Sequence, residues 1–232
     1  MTHRKHLGAA FAIAAFIGVV HSASAGLIVN SSVGGAPTGA NYVNFDNLPL
    51  GNAGGTSGGI GVAFTSGDGG VVQGALSGRY AAPFLSGGNG SLFGNPANGA
   101  DTTTYLSTGI GTITLTLPGL EKYFGLLWGS VDTYNSLELF NGASLVGTVT
   151  GTDVTAGANG NQGASGTFYV NIADDLAFNK VELVSTQYAF EFDNVAYGTK
   201  AAIPEPGTIA SFGAGLLAFG WLLRRRSGQN QA

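Results

Sequence analysis

The sequence predicts an all-β domain, an antiparallel β-sandwich of jelly-roll type, flanked by an N-terminal signal helix and a C-terminal transmembrane helix. Three observations carry this reading. Glycine is the commonest residue at 40 and charged residues make up only 9%, a balance remote from helical proteins rich in Ala, Glu, Lys and Leu. Short runs of alternating apolar and polar residues recur between clusters of Gly, Asn and Asp, at the intervals of sandwich or barrel strands. No helical period extends through residues 26–200, which leaves sheet packed on sheet as the architecture.

Low charge alone would also suit a disordered chain, but such chains are poor in aromatic and β-branched residues. Here there are 14 Phe and 8 Tyr, with Val, Ile and Thr throughout, and a hydrophobic share of 44%. That is enough for one folded domain of ordinary size. Cysteine is absent, so no disulfide holds the domain, and stability must come from sheet packing or a bound ion.

Residues 1–25 form the first element. Arg4 and Lys5 precede an uncharged apolar run over 7–20, followed by Ala23-Ser24-Ala25. A cationic start, an apolar run shorter than the ~20 residues of a spanning helix and a small-x-small site make a secretory signal. The Sec translocon and signal peptidase are its expected partners. Ala23 and Ala25 fit the peptidase pocket, and cleavage is expected after Ala25.

Residues 26–200 are the expected exported domain. Ile113, Leu115 and Leu117 alternate with Thr112, Thr114 and Thr116 before Pro118-Gly119, the clearest half-buried strand, expected to end at the proline. Further strands are expected over 42–45, 60–64, 123–131, 136–140, 145–150, 168–172, 181–184 and 188–197. Asn141-Gly142 reads as a tight hairpin turn. The stretches 51–70 and 151–166 are rich in Gly, Asn, Thr and Ser. They read as surface loops, either solvated connectors or binding loops.

The third element is residues 201–232. Pro204, Glu205 and Pro206 prevent regular structure. An apolar stretch at 208–223 follows, then Arg224, Arg225 and Arg226. The stretch is short for a bilayer, but the trailing arginines can snorkel and favour the cytoplasmic side, which leaves residues 26–203 outside.

Charge and chemistry narrow the function of the middle. Its basic residues are Arg79, Lys122, Lys180 and Lys200, against nearly all the acids of the chain, so no nucleic-acid partner is expected, because phosphate binding needs a basic face. His3, His6 and His21 are the only histidines. Residues 26–200 therefore cannot form a Ser-His-Asp triad, a Cys-His pair or a His or thiolate zinc site. Glu121, Glu138, Glu182 and Glu191 could supply the two carboxylates of a glycosidase, but acids at strand ends are usually solvated, and no catalytic residue is expected.

Two finer features remain. Phe45-Asp46-Asn47-Leu48 returns as Phe192-Asp193-Asn194-Val195, and the last strand changes phase there, with Phe190 and Phe192 in one register and Val195 and Tyr197 in the other. A bulge at Asp193-Asn194 would reconcile the two. Either each Asp caps a turn through its own backbone, or Asp46 and Asp193, together with Asp132, offer oxygen ligands to a structural Ca²⁺. No other cofactor is expected. Among Trp128, Tyr134, Phe140 and Tyr188, rings that could stack on a sugar, Trp128 lies in an apolar run that suits a core. Tyr134, beside Asp132 and Asn135, is the candidate ligand-binding residue.

The arrangement of Pro204-Glu205-Pro206, apolar segment and arginine cluster resembles the PEP-CTERM sorting signal of Gram-negative bacteria. The stretches 123–142 and 189–197 likewise resemble a subgroup of these surface proteins. The resemblance implies processing by an exosortase, attachment to the membrane through the C-terminal segment, and export across the inner membrane to the cell envelope, outer surface or extracellular matrix. It implies no biochemical activity. The function expected is a structural or adhesive role in exopolysaccharide or biofilm, the alternative a non-catalytic carbohydrate-binding module, and the third a glycoside hydrolase.

Overall fold

Two strands longer than the alternation pattern marks out organise the molecule. The computed structural model describes residues 26–32, 35–65, 68–95 and 97–200. The signal segment with Ala23 and Ala25, and the sorting segment from 201 onward, lie outside them. In chain order the strands are β1 (Ile28–Ser32), β2 (Asn41–Val43), β3 (Gly55–Ser57), β4 (Ile60–Phe64), β5 (Gly69–Gln73), β6 (Phe84–Leu85), β7 (Gly99–Ala100), β8 (Thr104–Thr108), β9 (Gly111–Gly129), β10 (Asn135–Asn141), β11 (Ser144–Thr150), β12 (Phe168–Ser185) and β13 (Phe190–Gly198). One helical turn, α1 (Gly151–Val154), follows β11.

The long strands β9 and β12 pair antiparallel from Phe168↔Trp128 to Ser185↔Gly111, with register shifts where Ala173, Phe178 and Lys180 follow one another. At that bend the ribbon passes from one set of neighbours to another. Its first half on β9 is flanked by β4, with Val62 opposite Leu115, and by β10 on the β12 side, with Leu137 opposite Leu183. Its other half is flanked by β13 and β1. Strands that switch layers through a bend are a known way to turn the corner of a sheet. Pro118 does not end the strand as expected. It stands exposed between the paired residues Thr116 and Glu121, where no ladder hydrogen bond is asked of its missing N–H.

The two halves share one core. Ile113, Leu115, Leu117, Leu137, Leu139, Val181 and Leu183 from the first meet Phe124, Leu126, Trp128, Ile172, Phe190 and Phe192 from the second. Each such large side chain contributes about 1.5–3 kcal/mol when fully buried. The outer face of the second half is also covered. Tyr123, Leu127, Tyr169 and Ala196 pack against Ala36, Leu85 and Phe93 from the irregular segments before β2 and around β6. Burial on both faces is why residues 123–131 read as a continuous apolar run.

The all-β antiparallel class therefore holds. The described strands form an eleven-stranded sheet and the two-stranded ribbon β6–β7, an order that does not establish jelly-roll connectivity. No described helix is long and apolar enough to cross a membrane. The Gly-rich stretch 51–70 contains the hairpin β3–β4 and the start of β5, so it is less of a loop than its composition suggests. The hairpin between β10 and β11 forms with Asn141 opposite Ser144 and Gly142 at φ 60°, a left-handed conformation that favours glycine.

The phase change in the last strand is a bulge. Pairing of β13 with β9 shifts between Asp193 and Ala196, and Asn194 sits at φ 51°. Phe190, Phe192, Val195 and Tyr197 thereby all reach the same core. The first copy of the repeated motif is its neighbour. Val43 pairs with Val195, and Phe45, itself at φ 59°, sets its ring edge-on to Phe192 at 6.2 Å.

Candidate functional site

Four chain segments far apart in sequence converge at the end of the second half-sheet. Arg79 to Ala81 come from the connection after β5, and Ser130, Asp132 and Tyr134 from the turn between β9 and β10. Asn159, Gly160 and Gln162 come from the loop after α1, and Tyr188, Ala189 and Glu191 from the entry to β13. They enclose an open cleft of about 690 Å³.

Glu191 forms its floor and is buried. Its Oε2 accepts from Ser130 Oγ at 2.6 Å and its Oε1 from the Ala81 N–H at 2.8 Å. Burial pushes its pKa up to about 7, the donors from Ser130 and Ala81 hold it down in part, and the nearby charge of Asp132 adds to the rise. Asp132 is also raised by burial, with Tyr134 opposing. Gly160 lets the loop approach Asp132. It sits at φ 72°, and a Cβ there would lie 2.8 Å from Asp132 Oδ1, so any other residue would push the wall outward.

The rim is aromatic. Tyr134 Oη donates to the Tyr188 carbonyl at 2.8 Å. The Arg79 guanidinium lies over the Tyr188 ring at 4.7 Å and pairs with Asp68 at 3.2 Å. The arrangement provides two partly exposed rings, one cation, and amide donors and acceptors from Asn159 and Gln162. Glu191 is tied by two donors below them.

Tyr134 thus lies on the cleft, as does Asp132. Trp128 is fully buried and stacks on Phe190 at 4.4 Å, and Phe140 carries the Lys180 ammonium over its ring at 4.0 Å. Neither lines the cleft. Of the four glutamates, Glu191 alone reaches this cleft. Glu121 lines a separate hollow of about 400 Å³ near Lys200, and Glu138 and Glu182 sit opposite each other on β10 and β12.

The three aspartates considered as Ca²⁺ ligands are not brought together. Asp132 belongs to the cleft. Asp46 is at the surface, its Oδ1 accepting from the Thr104 N–H at 3.3 Å and its Oδ2 from Asn44 Nδ2 at 2.7 Å. Asp193 is fully buried, and both of its carboxylate oxygens lack a hydrogen-bond partner. Burial raises its pKa, and Asp101 and then Asp46 are the charges that add to the rise. Among the described residues no group of three His, Cys, Asp or Glu side chains is set to hold a metal.

Arg79 and Ser130 were not legible as site residues. Arg79 is an isolated cation in a Gly- and Ala-rich stretch, and nothing local in the sequence links it to Tyr188, 109 positions away.

Compared with known proteins, residues 202–226 match the family model of the PEP-CTERM protein-sorting motif. No curated protein and no solved structure matches the chain.

Proposed function

We propose, from the premise that its sorting motif makes this chain an exosortase-targeted secreted protein associated with the cell surface or envelope, that it is a non-enzymatic structural or adhesive component of the extracellular polysaccharide matrix. Export would run through the Sec translocon, with signal peptidase cutting after Ala25. The apolar stretch 208–223 would hold the chain in the membrane until exosortase acts, leaving a jelly-roll-type sandwich outside. The observation that carries the non-enzymatic reading is the state of the cleft floor. Glu191 is 2% exposed, with one oxygen accepting from Ser130 and the other from Ala81, so it offers little surface to a substrate in the cleft.

The intact mass of protein recovered from the cell envelope tests the first half of this reading. Loss of residues 1–25 and of the segment behind Pro204-Glu205-Pro206 is expected, and a full-length cytosolic protein would overturn it. Incubation with the producing cell's own polysaccharide tests the second. No sugar should be released, and release of reducing ends would bring back a hydrolase.

A second reading, a carbohydrate-binding module, is favoured by the rim of Tyr134 and Tyr188 above amide groups, the chemistry that grips a pyranose. Saturable binding on a glycan array that is lost in Tyr134→Ala and Tyr188→Ala would establish it. Binding unchanged in both variants would remove the cleft from consideration.

A further inference from the structure

Beneath the outer face of the second half-sheet, Asp193 and Asp101 form a buried acidic pair for which no described residue supplies a cation. Asp193 is carried on the bulge of β13, and its side chain is completely buried with Oδ1 and Oδ2 both unpartnered. Asp101, 2% exposed, leads into β8, the strand that pairs with β13 at Phe192↔Leu106, and after burial it is the charge that adds most to the rise at Asp193. Asp101 is itself held in a fixed pose. Its backbone N–H donates to the Pro83 carbonyl at 2.8 Å, and its Oδ1 accepts from the Thr103 N–H and the Thr103 hydroxyl, each at 2.8 Å. Its other oxygen, Oδ2, is buried without a partner. Three carboxylate oxygens thus lack a well-formed hydrogen bond; the Asn194 N–H offsets only part of the rise at Asp193, and Asp46 adds a third negative charge nearby.

Among the described residues no side chain neutralises this charge. The ion pairs among the described residues are Arg79–Asp68 and Lys180–Glu182, both elsewhere. Ionised carboxylates buried without donors are strongly disfavoured unless a counter-charge joins them. The donor set is all oxygen, with no His or Cys anywhere in residues 26–200, which selects a hard cation that tolerates irregular geometry.

We infer that Asp101 and Asp193 are ligands of a structural Ca²⁺ that ties the segment entering β8 to the bulge of the last strand. The remaining positions would be filled by backbone oxygens or water, as is usual for this ion. In a domain without disulfides the ion acts as a cross-link between residues 92 positions apart. This inference stands apart from the cleft and does not depend on what the cleft binds. It keeps Asp193, brings in Asp101, and leaves out both Asp132, which lines the cleft, and Asp46, whose two oxygens accept from Thr104 and Asn44.

The test is thermal unfolding of the full chain, freed of metal with EDTA and titrated with CaCl2, alongside Asp193→Asn, Asp101→Asn and the exposed control Asp175→Asn. At Ca²⁺ roughly a hundredfold above its dissociation constant, the wild type and the control should unfold on the order of 5–10 °C higher. Both ligand variants should lose that shift, and tyrosine-sensitised Tb³⁺ emission should appear only in the wild type and the control. If the wild type is indifferent to Ca²⁺ and Asp193→Asn is as stable or more so, the pair shares a proton and the inference is overturned. A Ca²⁺ shift that survives in Asp193→Asn overturns it equally. Should Asp193→Asn fail to fold, Asp101→Asn and the Tb³⁺ signal of the wild type decide by the same criteria.

Discussion

Ser130 Oγ donates to Glu191 Oε2 at 2.6 Å, joining the turn after β9 to the start of β13 at the floor of the cleft. Glu191 is 2% exposed and its pKa is pushed up to about 7 by burial. A carboxyl raised in this way keeps its proton in the folded chain at a pH where the unfolded chain, near 4.5, has released it. Its contribution to stability is therefore fully present below about pH 4.5 and declines as pH rises to about 7, by on the order of 3 kcal/mol. Urea unfolding across this range should show that decline, and Glu191→Gln should make it shallower by about that amount, the remainder belonging to the raised Asp132 and Asp193. An unchanged slope in the variant would mean that the group titrates normally.

Trp128 and Phe190, on adjacent strands, stack at 4.4 Å in the centre of the core. Trp128→Ala leaves a large cavity in which neither half-sheet can collapse independently, and should cost about 3–5 kcal/mol in denaturant unfolding. A loss below 1 kcal/mol would mean that the ring is not buried as described.

Gly151 begins α1, and a Cβ at that position would lie 1.9 Å from the Asp132 carbonyl oxygen. The obstacle is backbone and cannot rotate away, so Gly151→Ala should destabilise by roughly 1–3 kcal/mol. It should also displace Asp132, so any glycan binding by the cleft should weaken more than in a surface control of equal stability. Wild-type melting in Gly151→Ala would contradict this.

Asn194 holds φ 51° at the bulge, with both side-chain amide atoms buried and unpartnered. Glycine adopts that conformation without strain, so Asn194→Gly should unfold at the same or a higher temperature. A β-branched side chain is a genuine outlier there, and Asn194→Val should cost about 1–3 kcal/mol. Equal stability of the two variants would mean that the bulge is not constrained.

Much of the fold was legible because it is written locally. Thr112 to Leu117 alternate as a half-buried strand must, and the phase change between Phe192 and Val195 announced a bulge because side chains two apart share a face. Strands β5 and β8 escaped notice. Two glycines open the one and threonines bracket the other, neither alternates, and β8 is buried because β5 and β13 flank it. Of the site, Tyr134 and Asp132 were found by chemistry and proximity in the chain. Arg79 and Ser130 were not, since their roles depend on partners 109 and 61 residues away.

By itself the sequence determined the all-β class, the sorting motif at 202–226 and the absence of His and Cys chemistry from residues 26–200, because composition and short motifs act without reference to distant residues. Only the tertiary structure decided that β9 and β12 run on through the bend, that Asp132 and Asp193 part company, and that Asp101 joins the latter. Those outcomes depend on which strands pair, and pairing is chosen by the burial of the whole core rather than by any one segment.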